Sequence, residues 1–250
     1  MASDIHVKRL GTIDSTNRYV REEAAALWSG GYNAVAVVAE HQTAGRGQRG
    51  NVWSSEQGRN LLMSLLVRPG GSLEVANQFL LSQTVAVAVH AAMACYGIDA
   101  RLKWPNDIYV GERKLAGILI ELDCRGAFVE QAVIGIGLNV NQSEFPPMDR
   151  VPVSMKMLLG RDIVLDDVLD TLLDCFSHYY GQMKLCRECV ATEYVKLLLG
   201  YGEKRGFVDV NGAFEAVIEG VEPMGHLLLR RDDGSLSRYA FKEVVQPMND

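Results

Sequence analysis

The sequence of 250 residues is long enough for one large domain, or for one medium and one small domain. Its apolar fraction of 48% and charged fraction of 22% are ordinary for globular proteins and exclude a disordered, collagen-like or fibrous chain. The formal net charge of -6 gives no general attraction for nucleic acid or anionic lipid, so local residues must hold any bound anion.

Neither a membrane span nor a secretory signal is predicted. The longest mostly apolar run, residues 84–97, is shorter than the roughly 20 residues a spanning helix needs. The first ten residues lack the apolar centre of a signal peptide. The five cysteines are scattered, and we interpret Cys186 and Cys189 as two free thiols one helical turn apart. A cytoplasmic protein is expected.

The first third of the chain is predicted as strand, helix, strand, loop and strand. A helix over residues 17–30 follows the cap-forming residues Asp14, Ser15 and Thr16 and ends at a pair of glycines. Valine-rich residues 33–42 predict a buried strand. After a glycine loop, residues 60–69 predict another strand that ends at a proline.

The remaining chain predicts an α+β protein with a mixed sheet and a small β domain. Residues 72–97 are helix-like, and apolar spacing predicts a helix from Leu165 to Leu199. Strands with tight turns are predicted over 100–105, 107–122 and 128–141. Beyond residue 200 only short strands and turns are expected. We therefore predict a main domain over 1–199 and a small β-barrel domain over 200–250.

The glycine loop, residues 45–50, contains a G-x-G-x-x-G pattern. A dinucleotide-binding fold is excluded because turn and strand, rather than helix, follow the third glycine. A kinase is excluded because the other kinase motifs are missing. A plain hairpin loop would explain the glycines but leaves Arg46 and Arg49 unexplained. We interpret the loop as a cationic flap that closes over a phosphate or carboxylate.

Two further segments contain polar or glycine residues at strand positions. Residues 103–117 bring Lys103 and Lys114 to a tight turn with an amide and a carboxylate, which could surround a nucleotide; the alternative is a solvated hairpin. In the segment 132–141, Gly135, Gly137 and Asn139 share one face of a strand. They form either a flat floor for a ring or a strand weakened by glycine.

Together these segments resemble the biotin protein ligases. The family pattern G-R-G-R-x-G-x-x-W matches residues 45–53, K-W-P-N-D matches 103–107, R-K-L-A-G-I-L matches 113–119, and G-I-G-x-N matches 135–139. The D-S-T-N segment is present at 14–17. The resemblance implies a mixed-sheet catalytic domain related to class II aminoacyl-tRNA synthetases, followed by an SH3-like barrel. With 13 residues before Asp14, a monofunctional ligase without a DNA-binding domain is expected.

The resemblance also implies a two-step reaction and its participants. Biotin attacks ATP, which travels with Mg²⁺, to give biotinyl-5'-AMP, and a lysine of a biotin carboxyl carrier protein then accepts the biotinyl group. Arg46 and Lys114 are the expected catalytic residues. The expected biotin-binding residues are Ser15, Thr16, Asn17, Gln42, Gly45, Arg46, Gly47, Gln48, Lys114, Gly117, Gly135 and Gly137. The expected ATP-binding residues are Arg49, Trp53, Lys103, Asn106, Asp107 and Asn139. No metal-ligating residues are predicted.

One departure from the family pattern is Gln48, which stands where a second arginine is usual. Glutamine donates hydrogen bonds but carries no charge. Either Arg49 takes over its role, or the adenylate is held less tightly. Neither a nucleic acid nor a membrane is expected as a partner, and the resemblance allows a homodimer. The alternatives are a biotin sensor without ligase activity and a ligase for a related acid such as lipoate.

Overall fold

The computed structural model describes residues 5–147 and 150–247, without the side chains of Arg49 and Ser72. The elements of the main part are β1 (Ile5–Ile13), α1 (Thr16–Glu22), α2 (Ala24–Trp28), β2 (Ala34–Gln42), β3 (Leu61–Val67), α3 (Phe79–Ala94), β4 (Arg101–Lys103), β5 (Asp107–Val110), β6 (Arg113–Arg125), β7 (Phe128–Leu138), α4 (Met155–Leu159), α5 (Leu165–Leu185) and α6 (Arg187–Lys196). The last five strands are β8 (Lys204–Asp209), β9 (Gly212–Val221), β10 (Leu227–Arg231), β11 (Leu236–Tyr239) and β12 (Val244–Val245).

The main sheet has seven strands in the order β1-β2-β3-β7-β6-β5-β4. Only β1 and β2 pair in parallel, so the predicted mixed sheet is confirmed. β7 lies between β3 and β6, where Gly135 is opposite both Ser64 and Leu119, and Gly137 is opposite both Leu62 and Gly117. The two glycines of β7 therefore lie near the middle of the sheet.

Helices cover both faces of this sheet. α3, α5 and α6 pack on one face in the larger hydrophobic core, to which α3 contributes buried residues such as Leu81 and Val85. On the other face, Val20 and Leu27 from α1 and α2 pack against Val35, Leu66 and Val133. Because the sheet is covered on both faces at β3, every residue of that strand is buried, as expected for its nearly continuous apolar sequence. The second face is only partly covered, and the candidate site lies there.

Two predicted helices are interrupted in the structure. The first breaks at Glu23 between α1 and α2, and the long C-terminal helix breaks at Cys186 between α5 and α6. Cys186 and Cys189 form a disulfide, so the interpretation of two free thiols is wrong. The Cys186 sulfur also accepts a hydrogen bond from the Cys189 amide at 3.3 Å and caps α6. Apolar spacing alone could not reveal this cap.

The last five strands form a separate antiparallel sheet in the order β11-β10-β9-β8-β12. Its residues Phe207 and Leu227 belong to the same hydrophobic core as the main sheet. The indole of Trp104 donates a hydrogen bond to the Gly225 carbonyl at 2.9 Å. The small sheet is thus docked on the β4–β5 end of the main sheet. Its closure into an SH3-like barrel and a domain boundary between residues 199 and 200 stay predictions.

Within residues 5–147 and 150–247, no helix has the length and apolar character needed to cross a bilayer.

Candidate active site

A cavity of about 110 Å³ opens on the face of the main sheet that carries α1. It lies between the glycine loop, the β4–β5 turn and the adjacent strands β6 and β7. Most residues predicted for biotin or ATP line it, although they are distant in sequence. They are Ser15, Thr16, Asn17, Gln42, Arg46, Gly47, Gln48, Trp53, Asn106, Asp107, Lys114, Gly117, Gly135 and Gly137.

The glycines of β6 and β7 form the floor of this cavity. A Cβ atom on Gly137 would lie 2.5 Å from Cε2 of Trp53, and one on Gly117 would lie 3.1 Å from Cζ3 of the same indole. A Cβ atom on Gly135 would overlap the side-chain amide of Asn17. No other amino acid fits these positions without displacing a neighbour. The flat floor expected from the G-I-G pattern is therefore present.

Trp53 covers this floor in the structure. Its indole Nε1 is buried and has no hydrogen-bond partner among the described residues. The Lys114 ammonium lies 5.6 Å from the centre of the indole ring. With the indole in this position, the cavity is smaller than the roughly 300–1,000 Å³ of typical small-molecule sites. A ligand that lies on the glycines must therefore displace Trp53.

A chain of polar side chains closes the end of the cavity near α1. The Thr16 amide and hydroxyl donate to Oε1 of Gln42 at 2.7 and 3.1 Å. The Ser64 hydroxyl lies 2.6 Å from Oδ1 of Asn17. The Asn17 amide nitrogen donates to Oε2 of Glu121 at 2.9 Å. These side chains are mutually fixed, so they present a rigid set of hydrogen-bonding groups to the cavity.

Three cations and two carboxylates form two groups at the site, one on Asp107 and one on Glu121. Nζ of Lys114 lies 2.7 Å from Oδ1 of Asp107, and the guanidinium of Arg150 contacts Oδ2 of the same carboxylate. NH1 of Arg46 lies 3.4 Å from Oε1 of Glu121. Asp107 is nearly buried, whereas half of the Arg46 and Arg150 side chains remains exposed. Both arginines therefore have exposed N–H groups that can donate to an anionic ligand.

Three predicted residues whose positions are described, Gly45, Lys103 and Asn139, do not line this cavity. Lys103 lies in a neighbouring cavity, where Nζ donates to the Gln246 carbonyl at 3.0 Å. Burial lowers the pKa of Lys103 to about 8, and the charge of Arg150 lowers it in the same direction. Asn139 is buried behind the cavity and donates to the Val153 carbonyl at 3.2 Å. Gly45 is buried in the glycine loop, and the side chain of Arg49 lies outside the described structure.

The structure adds three polar residues that the sequence did not identify. Ser64 is the only polar residue of β3, and it was missed because the rest of that strand is apolar. Glu121 shares a strand face with Gly117, so the two-residue period of a strand could have found it. Arg150 follows a proline-containing loop, and no sequence signal indicated its position. Among the described residues, no group of three or more His, Cys, Asp or Glu side chains could hold a metal ion.

Comparisons with known proteins agree with this arrangement. A protein-family profile described as the Biotin/lipoate A/B protein ligase family matches residues 11–139. The chain is 35% identical over 215 residues to the bifunctional ligase/repressor BirA of Bacillus spizizenii, covering 82% of this chain and 64% of that protein. It is 32% identical over 244 residues to the biotin--[acetyl-CoA-carboxylase] ligase of Paracoccus denitrificans, covering 90% of this chain and 94% of that protein.

A solved structure is similar over nearly the whole chain. The biotin protein ligase of Aquifex aeolicus in complex with biotin and ATP superposes with a TM-score of 0.78 and 26% identity, covering 98% of this chain and 99% of that one. The chain spans less than two thirds of the length of the Bacillus relative. The fold expected from the resemblance is thus confirmed. On the profile match and the Paracoccus relative, the chain belongs to the biotin/lipoate A/B protein ligase family.

Proposed function

We propose that the protein is an ATP-dependent biotin ligase that forms biotinyl-5'-AMP and transfers the biotinyl group to a lysine of a carrier protein. The main support is the convergence, in one cavity, of the glycine floor with the cations Arg46, Lys114 and Arg150. The names of the Paracoccus and Aquifex relatives point to the same substrates. The acceptor would be the biotin carboxyl carrier protein of acetyl-CoA carboxylase.

In this proposal the biotin rings lie on Gly117, Gly135 and Gly137 after Trp53 has moved away. Thr16, Gln42 and Asn17 are linked through one another and through Ser64, so they are near enough to meet the polar edge of the ureido ring together. The biotin carboxylate then points towards Lys114 and Arg46. Because the hydrogen-bonding groups are already fixed by one another, little order is lost when the ligand binds.

The first step joins two anions, so it needs concentrated positive charge. A carboxylate oxygen of biotin attacks the α-phosphorus of ATP, and the bond from that phosphorus to the bridging oxygen of the β-phosphate breaks. Pyrophosphate leaves with the bonding electron pair. Lys114 and Arg46 offset the charge that collects on the α-phosphate in the transition state. Closure of the glycine loop would exclude water from the mixed anhydride.

The second step needs no nucleophile from the enzyme. The neutral amine of the carrier lysine attacks the acyl carbon of biotinyl-5'-AMP and forms the amide bond. The bond between the acyl carbon and the phosphate oxygen breaks, AMP leaves with its electron pair, and the proton lost by the nitrogen passes to the solvent. Lys114, held by Asp107, stays close to the departing phosphate and offsets its charge. Mg²⁺ enters as part of the ATP substrate. A cytoplasmic location, independence of nucleic acid and membranes, and homodimer formation are further predictions.

A coupled assay tests this function. The purified protein is mixed with MgATP and biotin, with or without a carrier domain, and pyrophosphate release and carrier mass are followed. With MgATP and biotin but no carrier domain, we expect release of pyrophosphate. When the carrier domain is added, we expect it to become biotinylated. Lipoate in place of biotin serves as the control substrate. Binding of biotin without pyrophosphate would indicate a sensor, and turnover only with lipoate would indicate a lipoate ligase.

A further inference from the structure

We propose that Arg150 binds the β- and γ-phosphates of ATP and the pyrophosphate that they become. This inference rests on the adenylation reaction proposed above. It concerns a residue of the loop after β7, outside the motifs that identify the family. The argument uses the position of Arg150, the way its backbone is held, and the charges around it.

Arg150 lies where three cavities meet. It lines the site cavity described above and a second cavity of about 700 Å³ between the main sheet and the C-terminal sheet. It also lines a third cavity of about 490 Å³ beside Trp53 and Asn139. The side chain is 52% exposed, so its guanidinium is accessible to solutes. Arg150 is the one charged residue among the described residues that line both the site and the second cavity, so a phosphate chain that joins the two would find its positive charge there.

The backbone next to Arg150 is attached to the backbone of Lys114. The Lys114 amide donates to the Val151 carbonyl at 2.8 Å, and the Val153 amide donates to the Lys114 carbonyl at 2.9 Å. Asn139 reinforces this pairing because its side chain donates to the Val153 carbonyl. Arg150 therefore directly precedes a short segment that is fixed relative to the catalytic lysine.

Asp107 holds the two cations side by side. One of its oxygens is bonded to Lys114 and the other to Arg150. A single carboxylate cannot neutralise two cations, so a net positive charge faces the site. A guanidinium has five N–H groups, and its planar fork suits phosphate oxygens better than an ammonium does. Arg150 can thus keep its contact with Asp107 and still donate to a phosphate.

The charged residues that line the second cavity are mostly basic. Besides Arg150, its lining includes Lys103, Arg113 and Lys242, with Glu112 as the one carboxylate among its described lining residues. Its volume is several times that of the site cavity. These properties suit a small, highly charged anion such as pyrophosphate. They do not suit biotin, whose bicyclic ring is uncharged.

The chemistry of the first step gives Arg150 a defined task. When the bond between the α-phosphorus and the bridging oxygen breaks, negative charge accumulates on the leaving pyrophosphate. Lys114 and Arg46 face the α-phosphate in our proposal, which leaves the β- and γ-phosphates to be neutralised by other groups. Gln48 lines the site without a charge. Arg150 therefore provides a guanidinium, which the glutamine at position 48 lacks.

The test compares Arg150→Gln with Arg161→Gln, a matched variant at an exposed arginine outside all three cavities. One charge-assisted hydrogen bond corresponds to about a tenfold change in binding. We expect Arg150→Gln to raise the KM for ATP, and to weaken inhibition by pyrophosphate, each by about tenfold. The dissociation constant of biotin and the transfer rate from preformed biotinyl-5'-AMP should stay within about twofold of the wild type.

Two further variants distinguish a loss of phosphate binding from a loss of folding. Arg150→Lys keeps the charge and should show the same changes at about threefold. Adding Gln48→Arg to Arg150→Gln should restore part of the affinity for ATP. The proposal is overturned if Arg150→Gln behaves like Arg161→Gln, or if biotin binding and transfer fall together with ATP affinity. If the wild type releases no pyrophosphate from ATP and biotin, both the proposed function and the proposed role of Arg150 are refuted.

Discussion

The guanidinium of Arg46 lies 3.4 Å from the carboxylate of Glu121, a residue 75 positions away on β6. The same carboxylate also accepts hydrogen bonds from Arg21 of α1 and from the side chain of Asn17. Glu121 thus connects the glycine loop to α1 and to the polar end of the site. In this arrangement the loop arginine shares the protein's own carboxylate with Arg21, and an anionic substrate can take the place of that carboxylate.

Glu121→Gln should loosen the glycine loop in the absence of ligand. The amide keeps an oxygen for Asn17 but loses the charge that holds Arg46. Partly exposed ion pairs contribute about 0.2–1 kcal/mol, so trypsin should cleave after Arg46 or Arg49 about two to five times faster. Biotin with ATP should remove the difference. Glu130→Gln, which alters the exposed pair with Arg125, is the control. Equal cleavage of both variants would contradict the role of Glu121.

Charge in the glycine loop should control how long the adenylate is retained. Arg46→Ala should impair both its formation and its retention, because it removes a guanidinium that lines the site. Gln48→Arg should leave activity intact or slow adenylate release, because it adds a charge beside the phosphates. Release of labelled biotinyl-5'-AMP after rapid dilution measures both effects. Release rates that neither substitution changes would refute this interpretation.

Much of the fold was predictable because local patterns agree with long-range pairing. The apolar run in β3 and the alternating glycines of β7 are typical of central strands, and both lie in the centre of the sheet. The interruptions at Glu23 and Cys186 were missed because helix propensity is similar on both sides of each break. The disulfide was missed because its CxxC spacing also suits free thiols in a helix.

The candidate site was predictable where a family motif carries the residue, and less so elsewhere. Lys114 and the motif glycines Gly47, Gly117, Gly135 and Gly137 line one cavity, as expected for a shared ligand site. Lys103 lies in the same motif as Asp107 and pairs with it across the β4–β5 hairpin, but it lines the second cavity, where its Nζ donates to the Gln246 carbonyl. Arg150 reaches the site through tertiary pairing of residues 151–153 with Lys114, which no local pattern encodes.

Stability should depend on pH through Lys103. Its pKa of about 8 in the folded protein lies below the 10.5 of an exposed lysine. Between these values the unfolded chain binds more protons, so the wild type gains stability as pH rises from about 8 to 10.5. Lys103→Met removes this dependence. The free energy of unfolding of Lys103→Met, taken relative to that of the wild type, should therefore fall by about 1 kcal/mol over that pH range. This value allows for the partial exposure of the Lys103 side chain.

Urea unfolding at several pH values measures this difference. Lys196→Met, at the exposed end of α6, controls for the loss of one positive charge. Below pH 8 the wild type carries the full cost of burying the charged ammonium, so the variant should compare most favourably there. The burial of a charged Lys103 would be contradicted if the difference in free energy of unfolding between variant and wild type stayed constant from pH 7 to 11. It would also be contradicted if the variant became the more stable of the two as the pH rises.

Gly137→Ala should block the floor of the site. The added methyl group would lie 2.5 Å from the Trp53 indole, so the indole must move or the floor must distort, at a cost of about 1–3 kcal/mol. The same methyl would contact a biotin ring on the floor, and we expect its dissociation constant to rise at least about tenfold. Gly206→Ala, where the added atom meets open space, is the control. Calorimetry measures biotin binding, and fluorescence reports displacement of Trp53. Biotin binding at wild-type affinity in Gly137→Ala would mean that the rings lie elsewhere.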